Sequence, residues 1–205
     1  FGKLRTSWQL VGVIFALIVA NFLSRQSPVW VFQLIITSLV AALMIRIVFY
    51  LKIPELEHTP PTGSLVASLM KVVRYPGYMS FCAYVFLLMV FTGGCPALFG
   101  LIAKDVIGLG DDHVLWLGVL MMIGSITGFY LGGKSVDRWG TKSAFLICHF
   151  GYALLLASIL ARNAFPLGPF IAVALAFFIY GMMFAWSSIA ISTEMLALVP
   201  AGNKS

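Results

Sequence analysis

Gly133-Lys134-Ser135-Val136-Asp137-Arg138-Trp139-Gly140-Thr141-Lys142 places Lys134, Asp137, Arg138 and Lys142 within ten positions of a chain otherwise poor in charge. The blocks on either side, residues 113–133 and 143–161, contain no Asp, Glu, Lys or Arg. About 20 mostly apolar residues suffice to cross the hydrocarbon core of a bilayer as a helix. Residues 134–142 therefore read as a short polar link between two membrane-spanning helices, with Gly140 supplying the tight reversal that starts the second one.

The same pattern extends outward. Six stretches qualify as spans: 8–23, 28–51, 77–103, 113–133, 143–161 and 167–198. The first is short, and the last turns polar from Ser187 to Glu194. The fold class is all-α, a polytopic transmembrane bundle of six spans. Composition agrees: 61% of the 205 residues are hydrophobic and 10% charged, with a mean hydropathy of +1.01. Soluble domains carry about 25% charged residues. Too few charges remain to coat a water-facing surface, which excludes an ordinary soluble enzyme, a nucleic-acid-binding domain and a disordered protein. The net charge of +6 comes from 13 Lys and Arg spread between apolar blocks, with no basic run for a nucleic acid. Cys82, Cys95 and Cys148 lie inside apolar stretches without Cys-x-x-Cys spacing or a nearby His pattern. They read as packing residues, and no metal or cofactor is implied. Lys3 and Arg5 ahead of an apolar run look like a secretory signal, but no small-residue cleavage pattern follows Ala20 and five more spans come after.

The links are short except for 52–76, which holds Pro54, Pro60, Pro61 and Gly63. This is the one boundary between bundles, dividing the chain into 1–51, 52–76 and 77–205. Within it Leu65, Leu69, Val72 and Val73 fall at helical spacing beside Lys71 and Arg74, as in a short helix lying in the membrane interface. With six spans, both ends of the chain share one side with the 52–76 and 134–142 links. That side holds 10 of the 13 Lys and Arg, including Arg46, Lys52, Arg138 and Lys142; Arg25, Lys104 and Arg162 lie opposite. Cytoplasmic loops carry the excess of Lys and Arg, so both ends are expected to face the cytoplasm, and the whole net charge lies there. Trp8, Trp30, Trp116 and Trp139 fall at or near span ends, as an interfacial aromatic belt requires.

The link has the pattern G-x-x-x-D-R-x-G-x-K. It resembles the signature loop of the major facilitator superfamily of transporters, which joins the second and third helices of each six-helix half. Gly133, with Gly132 beside it, is the small residue that lets helices approach. Asp137 is placed for a helix N-terminus or a cation, Arg138 for a carboxylate, and Lys142 for the headgroups. The resemblance implies a gate latched by this loop, with Glu194 at the end of the sixth span as the partner of Arg138. Two spans precede the long link and four follow it. By that likeness 1–51 corresponds to the last two helices of the N-terminal bundle and 77–205 to the first four of the C-terminal bundle. The chain, which begins at Phe1, would then be an internal fragment spanning family helices five to ten.

The resemblance implies a solute cavity lined by the third and sixth spans. Tyr84 and Thr92 share one face of the third span. Tyr180, Met183 and Ser187 share one face of the sixth, with Trp186 alongside. Thr92-Gly93-Gly94-Cys95-Pro96 is expected to kink or break its helix, because Pro96 has no N–H to give. No acidic or basic residue lies near the middle of a span, so no buried proton-relay carboxylate is expected here. His149 reads as a neutral packing or interface residue, and His113 as a cap of the fourth span. The implied function is secondary transport of a small solute by alternating access, in the bilayer of a plasma (bacterial inner) membrane. The coupling proton or ion, and the solute, are left open. Two rivals stand beside it: a non-transporting scaffold or receptor that kept the fold, and a membrane enzyme, for which the scattered His and acidic residues offer no cluster.

Overall fold

The computed structural model describes residues 2–22, 28–52, 70, 74, 77–164 and 168–198. Five α-helices account for nearly all of them: α1 (Gly2–Phe22), α2 (Val29–Leu51), α3 (Tyr78–Leu101), α4 (Asp111–Leu160) and α5 (Pro169–Leu198). A π-helical turn, Ile102–Val106, continues α3, and a 3-10 turn, Arg162–Ala164, follows α4. Helices satisfy every interior backbone N–H and C=O within the segment, which hydrocarbon demands. Four helical stretches are long and apolar enough to cross a membrane: Val29–Phe49, Tyr78–Val106, His113–Leu160 and Pro169–Leu198. In α1 the apolar part, Gln9–Val19, is shorter.

The His113–Leu160 stretch, at 48 residues, would be about 70 Å long if straight, more than twice the hydrocarbon thickness. It is not straight. Gly140, at φ 79° and ψ 172°, leaves helical geometry and divides α4 into two arms. Their directions follow from their contacts with α5. In the first arm Gly124, Gly128 and Gly132 meet Phe178, Met182 and Trp186 in turn, so this arm runs parallel to α5. In the second arm Thr141 meets Glu194 and Cys148 meets Met183, and the Tyr152 ring faces that of Tyr180; this arm runs antiparallel. The two arms therefore form a hairpin that reverses at one residue. They are the fourth and fifth expected spans. The expected loop at 134–142 is a correction, however: the first arm stays helical through Trp139 and the second begins at Thr141. Nothing between Gly133 and Trp139 breaks a helix, so the turn waits for the first residue that tolerates positive φ.

α5 lies between both arms and α3. The core is built from Leu88, Cys95 and Phe99 of α3, Leu117, Phe129, Cys148 and Leu155 of α4, and Val173, Phe177, Tyr180 and Met183 of α5. Lipid is as apolar as these side chains, so tight packing and interhelical hydrogen bonds hold helices together in a membrane. The first arm of α4 supplies the tight packing. A Cβ at Gly124 would run into the Phe178 carbonyl, and one at Gly128 into the Met182 carbonyl. Reciprocally, a Cβ at Gly181 would meet the Met121 carbonyl. At Gly132 the neighbour is Trp186, at 3.0 Å from the position a Cβ would take.

α1 rests on α4, with Met122 over Gly12. α2 exposes almost its whole length, including Trp30, Leu34, Ile36, Leu43 and Phe49. Of the expected interfacial helix at 65–74, only Met70 and Arg74 are described; the Arg74 N–H donates to the Met70 carbonyl at 3.0 Å, one helical turn. The remainder lies outside the described residues.

Candidate functional site

The motif sits where the hairpin reverses. Ser135 and Val136 are buried, and the Ser135 hydroxyl donates back to the Gly132 carbonyl at 3.2 Å. Gly133 is half-buried, and the close approach to α5 is made by its neighbour Gly132. Lys134 is exposed; its ammonium donates to the Tyr130 hydroxyl at 2.8 Å and lies 4.6 Å from the centre of that ring. Asp137 and Arg138 are exposed in the last turn of the first arm. Asp137 thus stands at the C-terminal end of that arm, not at a helix N-terminus.

Glu194, half-buried near the end of α5, reaches the motif through Thr141, whose hydroxyl donates to its Oε2 at 2.5 Å. Among the described residues this is the hydrogen bond that joins Glu194 to the reversal, and it is made with Thr141 rather than with Arg138. Thr141 occupies an unspecified position of the pattern, so nothing in the spacing singled it out. Its role depends on α5 returning to the same end of the bundle 53 residues later.

Beside this contact is a cavity of about 550 Å³ lined by Phe81, Tyr84, Thr141, Lys142, Phe145, Leu146, His149 and Glu194. Its polar groups cluster at the motif end, and aromatic rings form the wall leading inward. A second cavity of about 460 Å³ continues along α3 and the second arm of α4. Tyr84 and His149 border both. The His149 ring contacts that of Tyr84 at 5.7 Å, and its Nδ1 lies 2.7 Å from the Phe145 carbonyl. The Tyr84 hydroxyl is buried and has no hydrogen-bond partner. At the opposite end His113 does not act as a cap: Gly110 holds that position, and the His113 ring meets Phe170 edge-on at 6.0 Å.

The other lining candidates are buried between α3, α4 and α5. Thr92, Tyr180, Met183, Trp186 and Ser187 are all within the core. The structure brings two of them together, for the Tyr180 hydroxyl donates to the Thr92 carbonyl at 2.8 Å. Ser187 donates to the Phe184 carbonyl at 2.9 Å within its own helix. Trp186 covers Gly132, and its indole N–H has no hydrogen-bond partner. Sequence reasoning missed Tyr152, whose buried hydroxyl lies beside Ser187 without a well-formed hydrogen bond. It also missed the seam at Gly124, Gly128 and Gly181, although the four-residue spacing Gly124-x-x-x-Gly128-x-x-x-Gly132 was there to be read.

Of the kink or break expected at Pro96, the break is corrected. The helix runs unbroken from Tyr78 to Leu101 with Pro96 inside it. The carbonyl that Pro96 leaves without its N–H is that of Thr92, and Tyr180 supplies the missing donor.

A family model described as Major Facilitator Superfamily matches residues 1–205. The chain belongs to the Major Facilitator Superfamily. No curated protein and no solved structure matches it. Membership makes this chain an integral membrane protein of a transporter family, which agrees with its long apolar helices.

Proposed function

We propose that this superfamily member carries a small solute across the bilayer by alternating access, two helical bundles rocking about a site near the midplane. The observation that carries the reading is the cavity at the motif end. It opens beside Lys142 and the Thr141–Glu194 hydrogen bond that ties the hairpin reversal to α5, and it runs inward to the unpartnered Tyr84 hydroxyl. Buried polar groups are nearly always paired. A donor left open at the junction of two cavities suits a solute that brings an acceptor oxygen.

The gate consists of Gly133, Asp137, Arg138, Gly140, Lys142 and Glu194. In the conformation described here Glu194 is held by Thr141. Arg138 is its partner in the alternate conformation, in which the end of α5 moves against the first arm of α4. The surplus of Lys and Arg at this end supports a cytoplasmic orientation in a plasma (bacterial inner) membrane. Residues 1–51 would belong to one bundle and 77–205 to the other, joined by the link at 52–76.

Flux into vesicles holding the full-length protein tests the gate. Arg138→Glu and Glu194→Arg are each expected to lower uptake tenfold or more, and the double swap to restore at least a third of it. A double swap no better than either single variant would sink the ion pair.

A further inference from the structure

Pro96 has no N–H, so the Thr92 carbonyl one turn earlier loses its helical partner. That carbonyl lies at a buried position, Thr92 being 1% exposed. Unpaired carbonyls at membrane depth are tolerated only where a neighbour or a water-filled space satisfies them. Thr92 does not serve itself, because its hydroxyl donates to the Leu88 carbonyl at 2.8 Å. The donor comes from α5, where the Tyr180 hydroxyl reaches the Thr92 oxygen at 2.8 Å. The ring of Tyr180 is held for this contact on several sides. Phe99 of α3 meets it edge-on at 5.8 Å, Phe184 stacks at 5.9 Å, and Tyr152 lies tilted at 6.4 Å.

The stretch just ahead of Pro96 is built to bend. Gly93 and Gly94 are exposed, and among the described residues nothing beyond the adjoining backbone of α3 lies within 4 Å of where a Cβ would stand at either position. Glycine adds backbone freedom there, and helices kink where a proline has removed a rung of the ladder. Yet α3 is unbroken. The opposing element is a single cross-helix hydrogen bond.

We infer that Tyr180 is a positioning residue: its hydroxyl takes the place of the N–H that Pro96 lacks and holds α3 in its unbroken form against α5, and release of this clasp frees α3 to bend further at Gly93–Pro96. The clasped and released forms of α3 are two states of one wall of the proposed solute path. That functional consequence rests on the alternating-access reading; the clasp itself does not.

Pro96→Ala provides the test, because it returns an N–H to position 96 and gives Thr92 its own helical donor. The readout is alkylation of Cys95 by N-ethylmaleimide in the full-length protein, followed on the Cys95 peptide by mass spectrometry. Cys95 is 3% exposed and sits beside the proline. Tyr180→Phe keeps the ring and removes only the donor. It is expected to speed Cys95 alkylation about tenfold with Pro96 present. In the Pro96→Ala background the same change is expected to alter the rate less than twofold. Amide exchange over residues 90–99 of the same four proteins gives an independent reading and should follow the same pattern. An equal acceleration in both backgrounds would mean that Tyr180 acts through packing alone and would overturn the clasp, as would an unchanged rate in Tyr180→Phe. Neither readout requires flux, so loss of transport with the coupling intact would count against the transport reading only.

Discussion

At the scale of single residues, Gly140 decides the shape of the motif. Its φ of 79° and ψ of 172° fall in a region that is essentially closed to residues with a Cβ and costs them about 1–3 kcal/mol. Space is not the obstacle, since nothing lies within 4 Å of where its Cβ would stand. Gly140→Ala is therefore expected to destabilise the protein by about 1–3 kcal/mol through backbone strain alone. Gly140→Asn should give no relief: asparagine is at ease in the left-handed helical region, but the ψ here is extended. Thermal unfolding of the purified protein in detergent checks this, and a midpoint for Gly140→Ala equal to that of the parent would remove Gly140 as the determinant of the reversal. The local sequence was enough to find this residue. It was not enough to find what the reversal touches. Arg138 is the more obvious partner for a carboxylate, but position 138 lies in the last turn of one arm while Thr141 starts the next, and Thr141 is the one that meets Glu194.

Between elements, the seam of α4 with α5 is made by absences of side chain. Because Gly124 and Gly128 lie against carbonyl groups of α5, the neighbour cannot yield by turning a rotamer. Gly128→Leu must push the helices apart along their whole parallel run. It is expected to cost on the order of 3 kcal/mol or more, in line with forced overpacking of a tight interface. Gly93 supplies the control on α3, where a side chain meets open space. Gly93→Ala should be neutral or stabilising by up to about 1 kcal/mol, the helix-propensity difference between the two residues. Equal losses in both variants, measured by unfolding in detergent, would contradict a seam set by backbone contact. The contrast also shows why spacing alone is a partial guide. Gly124, Gly128 and Gly132 recur every four residues and mark a helix face, whereas Gly93 and Gly94 look just as suggestive and meet no other helix among the described residues. Pro96 teaches the same lesson. The carbonyl that Pro96 leaves without its helical donor is met by a hydroxyl 84 positions later in the sequence, and no local pattern could reveal that donor.

For the whole molecule, the path of the chain and the placement of charge constrain each other. α3 and α5 are antiparallel, because Tyr84 shares a cavity with Glu194, Thr92 bonds Tyr180, and Phe99 meets Phe177. With the hairpin arms oriented as described, the start of α3, the Gly140 reversal and the end of α5 lie at one end of the bundle, and Lys104 and Arg162 at the other. For the four spans from residue 77 onward this arrangement reproduces the alternation that the apolar blocks implied, so their order was legible in the sequence. Direction across the membrane is a matter of charge. Moving Lys or Arg across a membrane is costly enough to set topology through short loops, and the motif link carries three of them, Lys134, Arg138 and Lys142. Single cysteines at exposed positions read the direction out. In intact cells, Asp105→Cys is expected to react with a membrane-impermeant maleimide, while Arg138→Cys should react only after the membrane is opened. Cys82, Cys95 and Cys148, replaced by alanine or serine, remove the native background. The reverse labelling pattern would place the gate on the outer face. It would leave the hairpin and the α4–α5 seam as described but would invert the side of the membrane on which Thr141 and Glu194 meet.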